Sequence, residues 1–334
     1  LLLLIFGTRT AINMDVDVFP DLTAPTVVVM TDAHGVASEE VERLITFPIE
    51  TAVNGATGVR RVRSVSSQGF SFVWVEFDWG TDIFKARQIV SEKLVQVSSQ
   101  MPVGVAQPML APQSSIMGEI LLIAVQADST SQMELRTLTD WEIKPLLLAT
   151  GGVSQVTVLG GDYKQYQVLA NPKLMKFFNV TMFELAETCR NLNQNSTGGI
   201  LRQYGNEYTI RGMARTSDID ELGNTFVKMT NGQPVRLHDV AEVRIGSAPK
   251  LGHGSKNASP AIIVSVTKQP YANTLELTKR IESNLKELSN TLPPDLTIDT
   301  GIFRQANFIE TSVNNVQWAL IEGGILVIII LFLF

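Results

Sequence analysis

The chain has 334 residues, with 33 acidic and 27 basic side chains, a formal net charge of −6 and one cysteine. Its length predicts two or three ordinary domains, and 45% hydrophobic with 18% charged residues is a globular composition, which excludes a disordered chain and a bundle embedded wholly in a membrane. The negative charge and the lack of a long run of lysine or arginine argue against a nucleic-acid partner. Cys189 cannot form an intrachain disulfide and is expected to be a small buried side chain.

The chain begins with an apolar stretch. Residues 1–7 are apolar apart from Gly7, and neither an initiator methionine nor a basic region precedes them, so the stretch does not have the form of a signal peptide. We interpret it as the last turns of a transmembrane helix, with a buried core segment as the alternative. The acidic run that follows is not a calcium loop, because Phe19 takes the place of a ligand; its members are Asp15, Asp17 and Asp21.

The next ninety residues predict the order strand, helix, strand, strand, helix, strand. Apolar residues recur every three or four positions over 41–53 and 83–97, which predicts two amphipathic helices, the first opened by Ser38 and kinked at Pro48. Strands are predicted at 26–31, 62–65, 70–77 and 105–110. This order is that of a ferredoxin-like βαββαβ unit.

The same pattern returns further along the chain. A strand at 120–125 and a helix at 134–148 lead to the corner Ala149-Thr-Gly-Gly-Val153, which resembles the earlier corner Ala56-Thr-Gly-Val59. A strand at 261–266, a helix opened by Asn273 and Glu276, and a proline-containing turn then complete a second unit. The sequence therefore predicts an α+β fold with two ferredoxin-like units, the second interrupted by an insert of about 100 residues.

The insert has its own pattern of elements. A strand is predicted at 163–169, Asn171 and Pro172 open a short helix, and Thr181 with Glu184 matches a capping box. A polar, turn-rich tract follows at 191–199. Hairpins are predicted around Gly205-Asn206 and across 226–245, where Asn231-Gly232 forms the turn. Such a lightly cored subdomain is expected to bury surface against a partner.

The chain ends with the apolar sequence WALIEGGILVIIILFLF, residues 318–334, which carries one charge, Glu322, whose role stays open. At 1.5 Å per residue this stretch covers about 26 Å of a hydrocarbon layer of roughly 30 Å. We predict a transmembrane helix with Trp318 at the interface. No other apolar run between the two ends is long enough to span, so one large extramembrane loop is expected.

Motifs for chemistry are incomplete. No cysteine or carboxylate stands at metal-ligand spacing from the histidines, which are His34, His238 and His253. A GxGxxG motif starting at Gly252 lacks its last glycine, because Asn257 stands there, and no residue lies in a nucleophile motif. Thioethers can bind Cu(I) or Ag(I), but an eight-residue spacing favours packing roles for Met101, Met109 and Met117. We predict no enzyme, no cofactor, and no catalytic or metal-binding residue.

Several motifs together resemble the first large periplasmic loop of a resistance-nodulation-division (RND) transporter. They are Asp17-Val-Phe-Pro-Asp-Leu-Thr23, Phe47-Pro-Ile-Glu50, Asn54-Gly55, Gly80-Thr-Asp82, Leu159-Gly-Gly161, Gln165-Tyr-Gln-Val168 and Asn171-Pro172. Within that family, Ser66-Ser-Gln-Gly69 and Thr139-Asp-Trp-Glu-Ile-Lys-Pro145 resemble the heavy-metal efflux branch more than the multidrug branch.

The resemblance implies a division of the chain into five parts. They are the end of one transmembrane helix and the membrane exit at 1–21, a first pore subdomain at 22–112, a second pore subdomain at 115–160 and 259–312, a docking subdomain at 161–258, and the start of the next transmembrane helix at 316–334.

The resemblance also implies a homotrimeric, proton-driven antiporter in the bilayer of the bacterial inner membrane, with most of this chain in the periplasm. It would export a metal cation or small molecule through a periplasmic adaptor and an outer-membrane channel. The proton-carrying carboxylates and metal-binding methionines are expected outside this chain, and the lack of methionine in 245–261 favours a divalent or non-metal substrate. A hairpin at about 193–212 is expected to reach a neighbouring protomer.

Two alternatives stay open at this point. One is an exporter of drugs or amphiphiles with the same architecture. The other is a membrane-anchored periplasmic scaffold that transports nothing.

Overall fold

The structure is a computed structural model that describes residues 6–7, 25–112, 118–212, 215–250, 252–270 and 272–333. Most of the membrane exit predicted at 1–21, the motif at 17–23 and Met117 lie outside the described residues. The chain divides into two compact units, one made of residues 1–128, 139–159 and 261–334 and the other of residues 129–138 and 160–260.

The first repeat has four strands, three helices and one π-helical turn. They are β1 (Thr26–Asp32), α1 (Ser38–Val41), the π-helical turn Glu42–Thr46, α2 (Phe47–Asn54), β2 (Val59–Ser67), β3 (Phe70–Phe77), α3 (Ile83–Ser98) and β4 (Met109–Leu110). The helix pattern is interrupted near Pro48, where the sequence predicts a kink, by the π-helical turn Glu42–Thr46; proline cannot donate a backbone hydrogen bond to the preceding turn. Ala37, not Ser38, occupies the cap position of α1.

One predicted strand of this repeat is much shorter than expected. The sequence predicts pairing over 105–110, whereas β4 pairs with β1 only through Met109 and Leu110. Pro108 lies just before this pair, and proline has no N–H for a sheet ladder, which limits the pairing to the residues after it.

The second repeat begins with two strands separated by helix and a second π-helical turn. These elements are β5 (Glu119–Ala127), α4 (Gln132–Leu138), the π-helical turn Thr139–Ile143, α5 (Lys144–Ala149) and β6 (Val153–Leu159). Pro145 lies at the start of α5, as Pro48 lies at the start of α2. The two repeats therefore share a π-helical turn followed by proline, in addition to the glycine corner that the sequence predicts.

The unit formed mainly by residues 160–260 is a small α+β arrangement. Its elements after α4 are β7 (Lys164–Ala170), α6 (Pro172–Phe177), α7 (Met182–Asn191), β8 (Ser196–Gln203), β9 (Asn206–Gly212), α8 (Ile219–Gly223), β10 (Phe226–Thr230), β11 (Gln233–Arg236), α9 (Leu237–Val240), β12 (Ala241–Ser247), β13 (Ser255–Lys256) and β14 (Ser259–Pro260). Its core is small, consisting of Met175, Val180, Leu185, Val235, Leu237, Val240 and Ala241.

In this unit the predicted helix caps are confirmed, whereas the predicted strands and their pairing are partly wrong. The Thr181–Glu184 capping box forms with both reciprocal bonds, and Asn171 caps α6. The tract predicted as turns at 191–199 is partly wrong, because β8 already starts at Ser196 and pairs with β9 across a bulge. The stretch 226–245 is a hairpin plus β12, which pairs with β7 and not with the hairpin. Cys189 packs against the core while remaining half-buried.

The second repeat is completed by β15 (Ile262–Lys268), α10 (Thr274–Ser289) and β16 (Leu296–Arg304), and the chain continues as α11 (Gln305–Leu333). Asn273 caps α10 and accepts a hydrogen bond from the Glu276 N–H. α11 begins well before Trp318, the first residue of the predicted membrane helix, because β16 runs into it without a linker.

Each repeat contains one four-stranded antiparallel sheet. The strand orders are β2-β3-β1-β4 and β16-β5-β15-β6. When the strands are numbered within each repeat, both orders are 4-1-3-2. Two helical segments pack on one face of the first sheet, and the cluster that they bury includes Val27, Val29, Val73, Val75, Ile45, Ile49, Ala86 and Val90. The connection from second to third strand differs, being the turn at 68–69 in the first repeat and residues 160–261 in the second.

Candidate membrane and transport surfaces

Helix α11 is, among the described residues, the one helix long and apolar enough to cross a membrane. It has 29 residues, its most apolar window has a mean hydropathy of 2.3, and no residue of that window is buried. At 1.5 Å per residue the helix is about 44 Å long, more than the thickness of the hydrocarbon layer. A helix that exposes apolar side chains on every side is suited to lipid and not to water.

The base of α11 is held in the second repeat. Ala306 and Ile309 are fully buried. The Arg304 guanidinium lies between two carboxylates, with Nε donating to Glu282 Oε1 at 2.8 Å and Nη1 donating to Glu310 Oε2 at 3.1 Å. These contacts, above all the hydrogen bond to Glu282, raise the pKa of Arg304. Strand β16, helix α10 and helix α11 therefore meet at the side chain of Arg304.

The face of the first sheet away from its helices is lined by aromatic side chains. Phe70, Phe72 and Trp74 follow one another on β3, with ring centroids 6.4 Å and 6.0 Å apart. The side chains beside Phe72 on neighbouring strands are Val65 and Met30. We call this row of three rings the aromatic ladder.

A buried carboxylate ends the aromatic ladder. Glu76 accepts hydrogen bonds from Arg61 at 3.0 and 3.1 Å and from Arg63 at 2.6 Å, and Arg60 lies 3.8 Å away. These arginines are about half exposed, whereas the Glu76 side chain is only 7% exposed. The hydrogen bond from Arg61 is the main cause that lowers the pKa of Glu76, with the charge of Arg63 adding to it.

The corresponding face of the second sheet is more polar. Ser265 lies at the centre of β15, between Leu122 on β5 and Thr157 on β6. Its hydroxyl donates to Glu119 Oε2 at 2.6 Å. Thr267, the next residue on this face, lies opposite Glu119. Hydroxyl and carboxylate oxygens therefore line part of this face, whereas the first sheet carries three rings on its corresponding face.

The unit at 160–260 presents an exposed hairpin and an open cleft. Strands β8 and β9 join at Tyr204-Gly205, which both have positive φ, of 52° and 76°. This matches the two-residue turn that hairpins favour. Tyr204 is 93% exposed, and Ile200, Leu201 and Tyr208 are also exposed.

The cleft lies beside α8 and has a volume of about 890 Å³. Its lining includes Leu169, Leu174, Ile219, Asp220 and Glu242. The lining contains no lysine or arginine.

Two of the three histidines contact a carboxylate or a carbonyl oxygen in the part of the chain that is described. His34 contacts Asp32, and His238 Nδ1 lies 2.9 Å from the Gly223 carbonyl oxygen. No group of three or more His, Cys, Asp or Glu side chains there could hold a metal ion. Of the methionines, Met101 packs against the first core. The packing role predicted for Met109 is wrong, since its side chain is mostly exposed.

The sequence analysis assigns no role to Glu76 or Arg304. A signal for Glu76 was present, because a single acid follows three aromatic residues on one strand face, opposite the arginines of 60–63. No local signal marks Arg304, whose partner Glu282 lies 22 residues earlier.

Comparisons with known proteins identify a family and several longer relatives. A model of the AcrB/AcrD/AcrF family matches residues 1–334. Protein HelA of Legionella pneumophila is 31% identical over the whole chain, and the cation efflux system protein CusA of Escherichia coli K12 is also 31% identical over the whole chain. The cobalt-zinc-cadmium resistance protein CzcA of Cupriavidus metallidurans is 29% identical over 96% of the chain.

The structural comparison agrees. The X-ray crystal structure of a heavy metal efflux pump superposes on the whole chain with a TM-score of 0.90 and 27% sequence identity. The chain covers 33% of that structure, 32% of HelA, 32% of CusA and 31% of CzcA, so it spans about one third of the length of these relatives.

Proposed function

We propose, on the premise that this chain belongs to the AcrB/AcrD/AcrF family of RND transporters and is related to its heavy-metal efflux pumps, that it forms the periplasmic pore and docking portion of a proton-driven pump for heavy-metal cations. Residues 316–334 of α11, like the end of a preceding helix within 1–21, would lie in the bacterial inner membrane, with most of the chain in the periplasm. The observation that carries this proposal is the superposition of the whole chain on a heavy metal efflux pump, at a TM-score of 0.90.

We infer that the two repeats are ferredoxin-like pore subdomains, at 22–112 and at 115–160 with 259–312, and that 161–258 is a docking subdomain. The shared strand order 4-1-3-2 in both sheets supports the first inference. The small core of the inserted unit and its exposed apolar hairpin support the second, because such surfaces are usually buried against partners.

The complete pump would be a homotrimer that passes its substrate to a periplasmic adaptor and an outer-membrane channel. The β8–β9 hairpin is our candidate for the contact with a neighbouring protomer, since Ile200, Leu201 and Tyr204 are exposed together near its tip. Replacement of 197–205 by a short turn is expected to lower trimer content in cross-linking and size-exclusion measurements. Unchanged assembly would refute this contact.

The substrate class is tested by transport in the full-length protein. We expect proteoliposomes with an imposed proton gradient to move at least one of zinc, cobalt or copper, and not a cationic dye. The more polar open face of the second sheet, with Ser265, Thr267 and Glu119, is consistent with a hydrated cation.

A drug or amphiphile exporter is the second candidate, and the aromatic ladder favours it because stacked rings bind apolar ligands. Movement of dye alone would support this candidate. If neither cations nor dye move, the non-transporting scaffold becomes the better description. The same assay therefore separates the three functions.

A further inference from the structure

The junction between β16 and α11 contains an arrangement that the roles above do not use. β16 ends at Arg304 and α11 begins at Gln305, so no linker separates strand from helix. The helix is buried only near its base, and all of its described residues from Asn314 onward are exposed. A displacement of the exposed part can reach the second repeat through the buried residues at this base.

Arg304 is poorly placed for an ordinary helix start. A positive charge at a helix N-terminus opposes the helix dipole, so capping does not explain its position. Its side chain is only 15% exposed, and its fork contacts one carboxylate on α10 and one on α11, Glu282 and Glu310. Hydrogen bonds to carboxylates on both sides fix the orientation of the Arg304 guanidinium, because this group is planar and rigid.

The strand side of the junction contains a bulge. Asp299 pairs with Ala124 and Phe303 pairs with Leu122, so three residues of β16 stand opposite the single residue Ile123. This bulge interrupts the ladder between Asp299 and Phe303, and pairing resumes there, with Arg304 opposite Leu121. Asp299 Oδ1 instead accepts a local hydrogen bond from the Gly301 N–H at 2.7 Å. Arg304 adds a charged side-chain link from this end of the strand to both α10 and the helix base.

We propose that Arg304 is a positioning residue that transmits displacements of α11 to α10, and through α10 to the inner face of the second sheet. Glu282 and Glu310 are its two anchors, and Asn307 Oδ1, which accepts from Nη1 at 2.7 Å, holds the same nitrogen. This inference rests on the proposed pump function, in which events in the membrane must alter the pore repeats. The chemistry is a fixed ion network and involves no bound ligand.

The test uses the full-length protein with Arg304→Met, Arg304→Lys and the control Arg280→Met. Arg280 lies on the same helix α10 but is half exposed and reaches Glu276 only at 3.9 Å. We expect Arg304→Met to speed amide exchange over 306–310 by about tenfold, because a partly buried network loses its shared partner. Cation export in proteoliposomes should slow by about tenfold while cation affinity and trimer content stay unchanged.

Arg304→Lys should give an intermediate export rate, because an ammonium is a point charge that cannot fork between two carboxylates. Arg280→Met should match the wild type in every measurement. Wild-type export by Arg304→Met, or equal losses in Arg304→Met and Arg280→Met, would overturn the proposal.

The measurements distinguish a failure of the proposed pump function from a failure of the role proposed for Arg304. If the wild type exports none of the tested cations, the proposed pump function is wrong, and amide exchange alone then decides on the junction. Slow exchange over 306–310 in Arg304→Met would show that Arg304 does not hold the helix base.

Discussion

The two repeats have the same strand order, yet the open faces of their sheets differ in chemistry. Along the outer face of the third strand, the first sheet carries the rings of Phe70, Phe72 and Trp74 and then Glu76, whereas the second sheet carries Ile263, Ser265 and Thr267. The inner faces are alike, since both pack valine and isoleucine against helices. Burial on the inner face therefore sets the topology, and the outer face is free to take a separate role in each repeat.

The largest expected effect tests whether the repeats are independent. Ile49 and Leu277 are fully buried on helices that pack against the first and second sheet. Replacing either by alanine should lower the free energy of unfolding of its own repeat by about 2–5 kcal/mol, because a cavity replaces a packed side chain. Site-resolved amide exchange in lipid nanodiscs should show Ile49→Ala opening β3 but not β15, and Leu277→Ala the reverse. Opening of both sheets by either variant would mean that the repeats unfold as one unit.

A second expected effect compares one carboxylate on each open face. Glu76 is buried among arginines, whereas Glu119 is exposed and contacts Ser265. Glu76→Gln should destabilise the chain by about 1–2 kcal/mol, and Glu119→Gln by about 0.5 kcal/mol or less, since exposed hydrogen bonds are weakly stabilising. Chemical unfolding of both variants measures the difference. Equal values would show that burial does not distinguish the two faces.

The pH dependence of Glu76 has a defined sign. Its folded pKa lies below the ordinary value of 4.5, so its contribution to stability is fully present above pH 4.5 and is lost as the pH falls through the folded pKa. The difference in unfolding free energy between the wild type and Glu76→Gln should therefore be constant at neutral pH and shrink under acid conditions. A difference that grows on acidification would contradict the lowered pKa.

Alanine substitutions at the glycine corner that both repeats share should lower stability by a smaller amount, which still differs between the repeats. Gly58 and Gly152 both have positive φ, of 80° and 102°. A Cβ at Gly58 would lie 3.7 Å from Phe77, whereas at Gly152 it would lie 3.4 Å from Leu277. We expect Gly58→Ala to cost about 1 kcal/mol from backbone strain and Gly152→Ala somewhat more, because its neighbour must also move. Thermal unfolding of the two variants compares them, and a larger loss for Gly58→Ala would contradict this order.

Local sequence signals predict much of this fold for physical reasons. The helix over 83–97, the cap at Asn273 and the turn at Asn231-Gly232 each depend on neighbouring residues, so their pattern is visible in the chain. The pairing of β12 with β7 is not visible, because it joins residues more than seventy positions apart without a turn signal.

The surfaces are harder to predict than the elements. The aromatic ladder follows from simple alternation on β3, but its contrast with Ser265 emerges only when the two sheets are compared in register. Arg304 is invisible because its role depends on where α10 and α11 meet. Long-range packing, which no local pattern encodes, decides both cases.

The smallest expected effect on stability comes from the outer faces of the two sheets, and it tests most directly whether these faces differ in role. Phe72 and Ser265 both lie on the outer face of the third strand, opposite Met30 and Leu122 on the first strand of their repeats. Phe72→Ser should cost the isolated chain about 0.5–1 kcal/mol, since it removes the two ring contacts at the centre of the aromatic ladder. Ser265→Phe should change stability by about 0.5 kcal/mol or less, because the ring would lie on an open face.

The reciprocal pair is informative because it separates stability from surface chemistry. If the polar face of the second sheet lines a cation path, Ser265→Phe should slow cation export by the full-length protein, while Phe72→Ser leaves the export rate unchanged once protein amounts are matched. The opposite result, with export sensitive to Phe72 and indifferent to Ser265, would assign the path to the aromatic face and favour an amphiphilic substrate. Because both substitutions lie on open faces and leave the buried cores intact, neither result can be attributed to a failure to fold.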